Sequence, residues 1–276
     1  MKSVSWTTPP KKHSVFQWCY TAMKYPNTLT WDDRLADADK KLVAELNAAL
    51  DRLNGLRALE INVAGPFARS KISWKLAAYQ HGLLHRIVAL MDGAAVAWNN
   101  RCTLSAILSA RALMETIAVM ADFEDRVAGL LSKEDLGGLD AFAQQGTFAS
   151  RDPKWIDEFP ESKAVNVLTH VDKFDKRAPG FRGHYDILSE RCHPNSLGHN
   201  FMFSTLDRSD GSIRYCDERE PGRNGQMILA ALAPLPLIET MMIRLDDLIL
   251  KVSDLHHRAS LVGGHTPATD PTSQAS

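Results

Sequence analysis

Arg111 and Glu115 are the only charged residues between Thr103 and Ala121, a run that is otherwise almost entirely apolar. A helix that is apolar all round is a buried helix, and charges inside it need partners. An arginine four residues ahead of a glutamate is the weaker order for a surface pair, so the spacing predicts a third polar group from another segment. Tyr185, Ser189 and His193 recur every fourth residue and therefore share one helical face of hydroxyls and an imidazole. An imidazole titrates near neutral pH and both donates and accepts protons. A centre built from these five side chains would use His193 as general acid or base, Glu115 to orient it and Arg111 to stabilise phosphate charge. The alternative is structural: Arg111 and Glu115 form a buried pair that fixes helix register, and His193 with Asn195 caps a helix end ahead of Pro194.

The motifs Arg-Ala-Leu-Met-Glu (Arg111 to Glu115) and Tyr-Asp-Ile-Leu-Ser-Glu-Arg-Cys-His-Pro-Asn (Tyr185 to Asn195) resemble a group of bacterial helical proteins related to the HEPN superfamily, over about Ala77 to His199. The resemblance implies a helical bundle. It further implies a metal-independent ribonuclease of toxin or antiviral type, acting through an Arg and a His with four to six residues between them at a homodimer interface. The chain departs from that spacing: seven residues separate Arg191 from His199. Arg177 to His184 and Arg258 to His265 fit by count alone, but the first spans Ala178, Pro179 and Gly180 and the second enters the C-terminal tail.

Other chemistries find less support. His81 and His85 stand four apart without an HExxH arrangement and read as solvated side chains, so no metal or other cofactor is expected. The glycine pairs Gly137-Gly138 and Gly263-Gly264 and the Gly222 to Gly225 stretch match no phosphate-binding or dinucleotide fingerprint, and no GxSxG elbow occurs. Arg214, Arg219 and Arg223 alternate with Asp217, Glu218 and Glu220, the pattern of a solvated loop. Thirty-two basic against 33 acidic residues give a net charge of −1, which disfavours non-specific polyanion binding. Four scattered cysteines form no CxxC pair and fit free thiols in a reducing compartment. Met1 to Pro10 lacks the apolar region of a secretory signal, and Arg111 and Glu115 argue against a membrane span, so a cytoplasmic location is expected.

The elements that must position these residues read as helices. With 276 residues, 45% hydrophobic and 24% charged, the chain can bury a core without staples. The pattern predicts a mostly α bundle of six or seven helices with one small β-hairpin. An irregular aromatic leader (1–30) with Phe16, Trp18, Tyr20 and Tyr25 should precede one helical domain (31–258), followed by a disordered tail (259–276). Thr30 with Asp33 resembles a capping box opening a helix to about Leu53. A stripe from Ile72 through Leu76, Leu83 and Ile87 to Trp98 predicts a long second helix from about Ser70, antiparallel to the one that carries Arg111. Ser132 with Asp135 marks another start, Gly146 to Pro160 reads as a loop, and Glu161 to Asp175 as a helix. Phe181 to Cys192 follows, then a hairpin of Phe201 to Leu206 and Ser212 to Cys216. The last helix, Gln226 to His257, is kinked by Pro234 and Pro236. Two functions follow as expectations. One is an intracellular HEPN-like effector acting on RNA or a nucleotide. The other is a non-enzymatic interaction protein whose Met-rich C-terminal heptads, Met241 and Met242 among them, bind a partner or a second copy.

Overall fold

The computed structural model describes residues 23–64 and 67–263. The leader aromatics Phe16, Trp18 and Tyr20 and the tail beyond 263 lie outside the described residues. The helices, in chain order, are α1 (Lys40–Leu56), α2 (Lys71–Asn99), α3 (Thr103–Leu131), α4 (Leu136–Phe148), α5 (Pro153–Glu158), α6 (Val167–Asp175), α7 (Phe181–Cys192), α8 (Asn200–Phe203), α9 (Pro221–Leu232) and α10 (Leu235–Gly263). The strands β1 (Ser204–Leu206) and β2 (Ile213–Tyr215) lie between α8 and α9. With α9 and α10 counted as one bent helix, the described residues form about nine helices, seven of at least seven residues, and one antiparallel hairpin, the fold class the sequence predicts.

The α3 helix is the axis of the bundle: α2, α4, α6, α7, α9 and α10 all pack on it. Its apolar positions run almost all the way round, and Ile107, Leu113, Ile117 and Phe123 are fully enclosed. The predicted stripe of α2 is its buried face, with Leu76, Ile87 and Trp98 in the core. Ser70 starts α2 by accepting the Ser73 amide N–H at 3.2 Å. Asp135 starts α4 by accepting from Gly138 at 2.8 Å, while Ser132 ends α3.

Several boundaries differ from expectation. No helix begins at Thr30. Its amide donates to the Asn99 side chain at 2.9 Å and its carbonyl accepts the Trp98 indole N–H at 2.8 Å, so the strand-like segment is tied to the end of α2 and the chain turns helical only from Asp37. Arg34 reinforces this tie, stacking 3.5 Å over the Trp98 ring centroid and donating to the Trp98 carbonyl at 2.6 Å. The expected loop at 146–160 contains α5, because Asp152 caps it and Pro153 occupies its first turn, where a missing N–H costs nothing. The following helix starts only at Val167, capped by Asn166. Residues 200–203 form a helical turn, leaving three residues per strand in the hairpin, with Ser204 opposite Tyr215 and Leu206 opposite Ile213. At the C-terminal end, Pro221 starts α9 and a turn at Ala233-Pro234 separates α9 from α10. Arg223 and Gly222 to Gly225 are therefore helical rather than loop. A Cβ on Gly225 would sit 2.9 Å from Leu35 and 3.0 Å from Trp98, so glycine sets how closely α9 approaches the segment before α1 and the end of α2. The last helix also extends past His257 to Gly263.

Candidate functional site

On α3, Arg111 and Glu115 lie one turn apart and face α7, so the structure supplies the third polar group from the segment the spacing indicates. Arg111 Nε donates to Ser189 Oγ at 2.9 Å and Nη2 donates to the Tyr185 hydroxyl at 2.8 Å. That hydroxyl in turn donates to Glu115 Oε1 at 2.8 Å, and Nη2 stands 3.2 Å from the same oxygen. The guanidinium also lies 5.2 Å from the Tyr185 ring centroid. Four of the five sequence candidates thus form one closed network. The side chains of Arg111 and Glu115 are only 28% and 23% exposed, so the network is lodged in the α3/α7 seam with one edge reaching solvent.

His193 does not join it. The helical stripe that carries Tyr185 and Ser189 ends at Cys192, and His193 has extended backbone (φ −82, ψ 146) imposed by Pro194. Its amide donates to the Ser189 carbonyl at 3.1 Å and its carbonyl accepts from Asn195 at 2.8 Å, while its ring is exposed. Among the described residues no hydrogen bond or ion pair joins that ring to Arg111 or Glu115. The chain returns so tightly after the helix that a Cβ on Gly198 would fall 1.8 Å from the His193 carbonyl oxygen. A capping and turn-forming role is what the backbone of His193 performs.

A further neighbour, not among the sequence candidates, is Cys192, half-buried one turn beyond Leu188 and under the electrostatic influence of Arg111 and Glu115. Burial pushes its thiol above the ordinary value, Arg111 opposing and Glu115 assisting. Burial likewise raises Tyr185, helped by its hydrogen bond to Glu115 and opposed by the one from Arg111. For Arg111, burial disfavours the charge, but the bond to Tyr185 and the charge of Glu115 outweigh it and hold the group above its usual range. Arginine, tyrosine and thiol are all shifted away from neutrality.

A second charged cluster begins one residue after the apolar run ends. Asp122, only 5% exposed, lies 2.6 Å from Lys173 Nζ, 3.0 Å from His170 Nδ1 and 3.5 Å from Arg126 Nε. Burial opposes its charge, yet the contacts from His170 and Lys173 hold its carboxyl down at about 2. Glu124 is gripped by Arg177 at 3.2 Å and by Arg244. These pairs tie α3 to α6 and α10. The i, i+3 spacing of His170 and Lys173 was the available signal, visible only by reading α3 beyond Ala121.

His81 and His85 are half-buried rather than solvated, because both hold the loop after α1: His81 Nδ1 accepts the Ala58 amide N–H at 3.3 Å, and His85 Nε2 lies 2.9 Å from the Ala58 carbonyl. Burial pushes His81 below the ordinary histidine value, as a ring accepting from a backbone amide requires. Among the described residues no group of three or more His, Cys, Asp or Glu side chains is placed to hold a metal ion. Met241 and Met242 face the core, as does the seam Ile238, Leu245 and Val252. By length and composition alone, Thr103–Leu131 and Pro221–Leu261 could each cross a membrane, but 56% and 50% of their apolar windows are buried inside the protein. Compared with known protein families, curated proteins and solved structures, the chain matches none.

Proposed function

We propose that the chain is a non-enzymatic helical interaction protein. In this reading the Arg111/Glu115/Tyr185/Ser189 network is a clasp that sets the register of α3 on α7, and the outer face of α10 pairs with a second copy. The observation that carries the proposal is the mutual satisfaction of the network by its own hydrogen bonds, with His193 outside it. The pairing face is not the methionine seam, which is core. It is the opposite face, where Ile243, Leu250 and Leu261 are 63%, 55% and 62% exposed. Ile243, Leu250 and His257 recur every seven residues, with Asp247, Asp254 and Leu261 in the intervening seam positions. Two such helices laid antiparallel about Val252 bring Ile243 against Leu261, Asp247 against His257 and Leu250 against Asp254. A seam this mixed suits a reversible dimer rather than an obligate one.

Sedimentation velocity over a concentration series tests the pairing. The wild type should shift from monomer to dimer as concentration rises into the tens of micromolar (an order-of-magnitude expectation for a small mixed interface). Ile243→Asp with Leu250→Asp should remain monomeric at an unchanged melting temperature. A wild type that stays monomeric throughout would contradict it.

One observation favours a second reading. The guanidinium of Arg111 retains an exposed edge, and a cationic group at a helix seam can meet a phosphate. On that ground a HEPN-like intracellular effector acting on RNA is the alternative. RNA cleavage by the purified wild type, lost in a folded Arg111→Met variant, would establish it over the interaction reading.

A further inference from the structure

The segment between α4 and α6 builds a small aromatic cleft that neither reading above uses. Phe148 ends α4, and Trp155 and Phe159 stand four residues apart at α5 and its end, so they share one face. Their ring centroids are 4.8 Å apart with planes inclined at 43°, and Phe148, Trp155 and Phe159 are 52%, 40% and 37% exposed. Together with Gln144, Gln145 and Glu161 they line a cleft of about 200 Å³. Apolar cavities of about 150 Å³ already accept a benzene-sized guest, so this one holds a compact group and little more.

The walls are held in place before any guest arrives. The Ser150 amide donates to the Ser162 carbonyl at 2.8 Å and the Ala164 amide to the Ser150 carbonyl at 2.9 Å, closing the ends of the segment with a parallel bridge. The buried Ser162 hydroxyl donates to the Phe159 carbonyl at 2.7 Å, and the Phe159 amide donates to Trp155. Such a frame spares a guest the cost of ordering the site. The chemistry of the cleft is that of a cation receptor. Aromatic faces carry negative potential, Glu161 adds a carboxylate, and the cleft lining includes no lysine or arginine. Among the described residues no cation of the chain stacks on these three rings, whereas Arg34, Lys40, Arg111, Arg126 and Arg219 each cover an aromatic ring elsewhere.

We infer that the Phe148/Trp155/Phe159 cleft binds a methylated ammonium group, with Glu161 as its counter-charge. The chemistry is shared by free quaternary ammonium compounds and by a trimethylated lysine side chain. Isothermal titration calorimetry of the full chain with choline, with a trimethyl-lysine peptide and with the uncharged isostere 3,3-dimethylbutanol tests it. Saturable binding of a cation is expected, with the isostere about tenfold weaker or worse. Trp155→Ala should remove binding, and Glu161→Gln, which leaves the aromatic walls intact, should weaken it several-fold. A tighter peptide identifies a protein source and tighter choline a small molecule. Equal affinity for the isostere, or no saturable binding of either cation to the wild type, would overturn the inference.

Discussion

His193 and Asp122 show how single residues gain or lose importance from their surroundings. His193 has the right chemistry and the right spacing for a catalytic group, but Pro194 turns its backbone out of the helix at the step where the stripe would have carried it inward. His193→Ala should change unfolding free energy by no more than about 0.5 kcal/mol in urea denaturation, the usual range for an exposed side chain. Asp122 is the reverse case, unremarked in the sequence and buried against Lys173, Arg126 and the His170 ring. Its folded pKa of about 2 lies below the ordinary 3.8, so the stabilisation is fully present above the ordinary value and is lost as pH falls through the folded one. That contribution is on the order of 2 kcal/mol. Denaturation midpoints measured between pH 5 and pH 2 should fall steeply for the wild type and less steeply for Asp122→Asn, which starts lower. Four side chains of the α3/α7 network were legible because helical geometry fixes what lies four residues away. Cys192 was not, because it stands three residues beyond Ser189, off the four-residue stripe of Tyr185, Ser189 and His193.

Among the elements, the long helices were read well and the short ones poorly. The helices that carry the α2 stripe and the α3 apolar run have 29 residues each, about eight turns, enough for periodicity to outweigh local ambiguity. The α5 helix has six residues and the α8 turn four, too few to show a period. Thr30 failed for another reason: its capping pattern is present in the sequence, but tertiary bonds to Trp98 and Asn99 claim its backbone. The loop after α7 carries a prediction at this scale. Because a Cβ on Gly198 would collide with the His193 carbonyl, Gly198→Ala must displace backbone and should cost about 1–3 kcal/mol in urea unfolding. An unchanged midpoint would show that the turn has room to relax.

Across the whole molecule, polar contacts are arranged around α3 so that three of its six neighbouring helices are fixed by a charge: α7 by Arg111 and Glu115, α6 by Asp122, α10 by Glu124. Burial of an apolar face is non-directional, whereas an ion pair with three or four hydrogen bonds forms in only one register and so adds a directional constraint to the packing. The overall bundle was legible from composition and periodicity, but which face of α10 is core was not, since both faces carry apolar residues and only packing separates Met241 from Ile243. The claim that the central network is a clasp is tested most directly by a double-mutant cycle on Arg111→Met and Tyr185→Phe, followed by urea unfolding. The clasp predicts that each single variant loses about 1–2 kcal/mol and that the two couple by 1 kcal/mol or more, as side chains sharing buried hydrogen bonds do. Losses that add to within about 0.5 kcal/mol would contradict it.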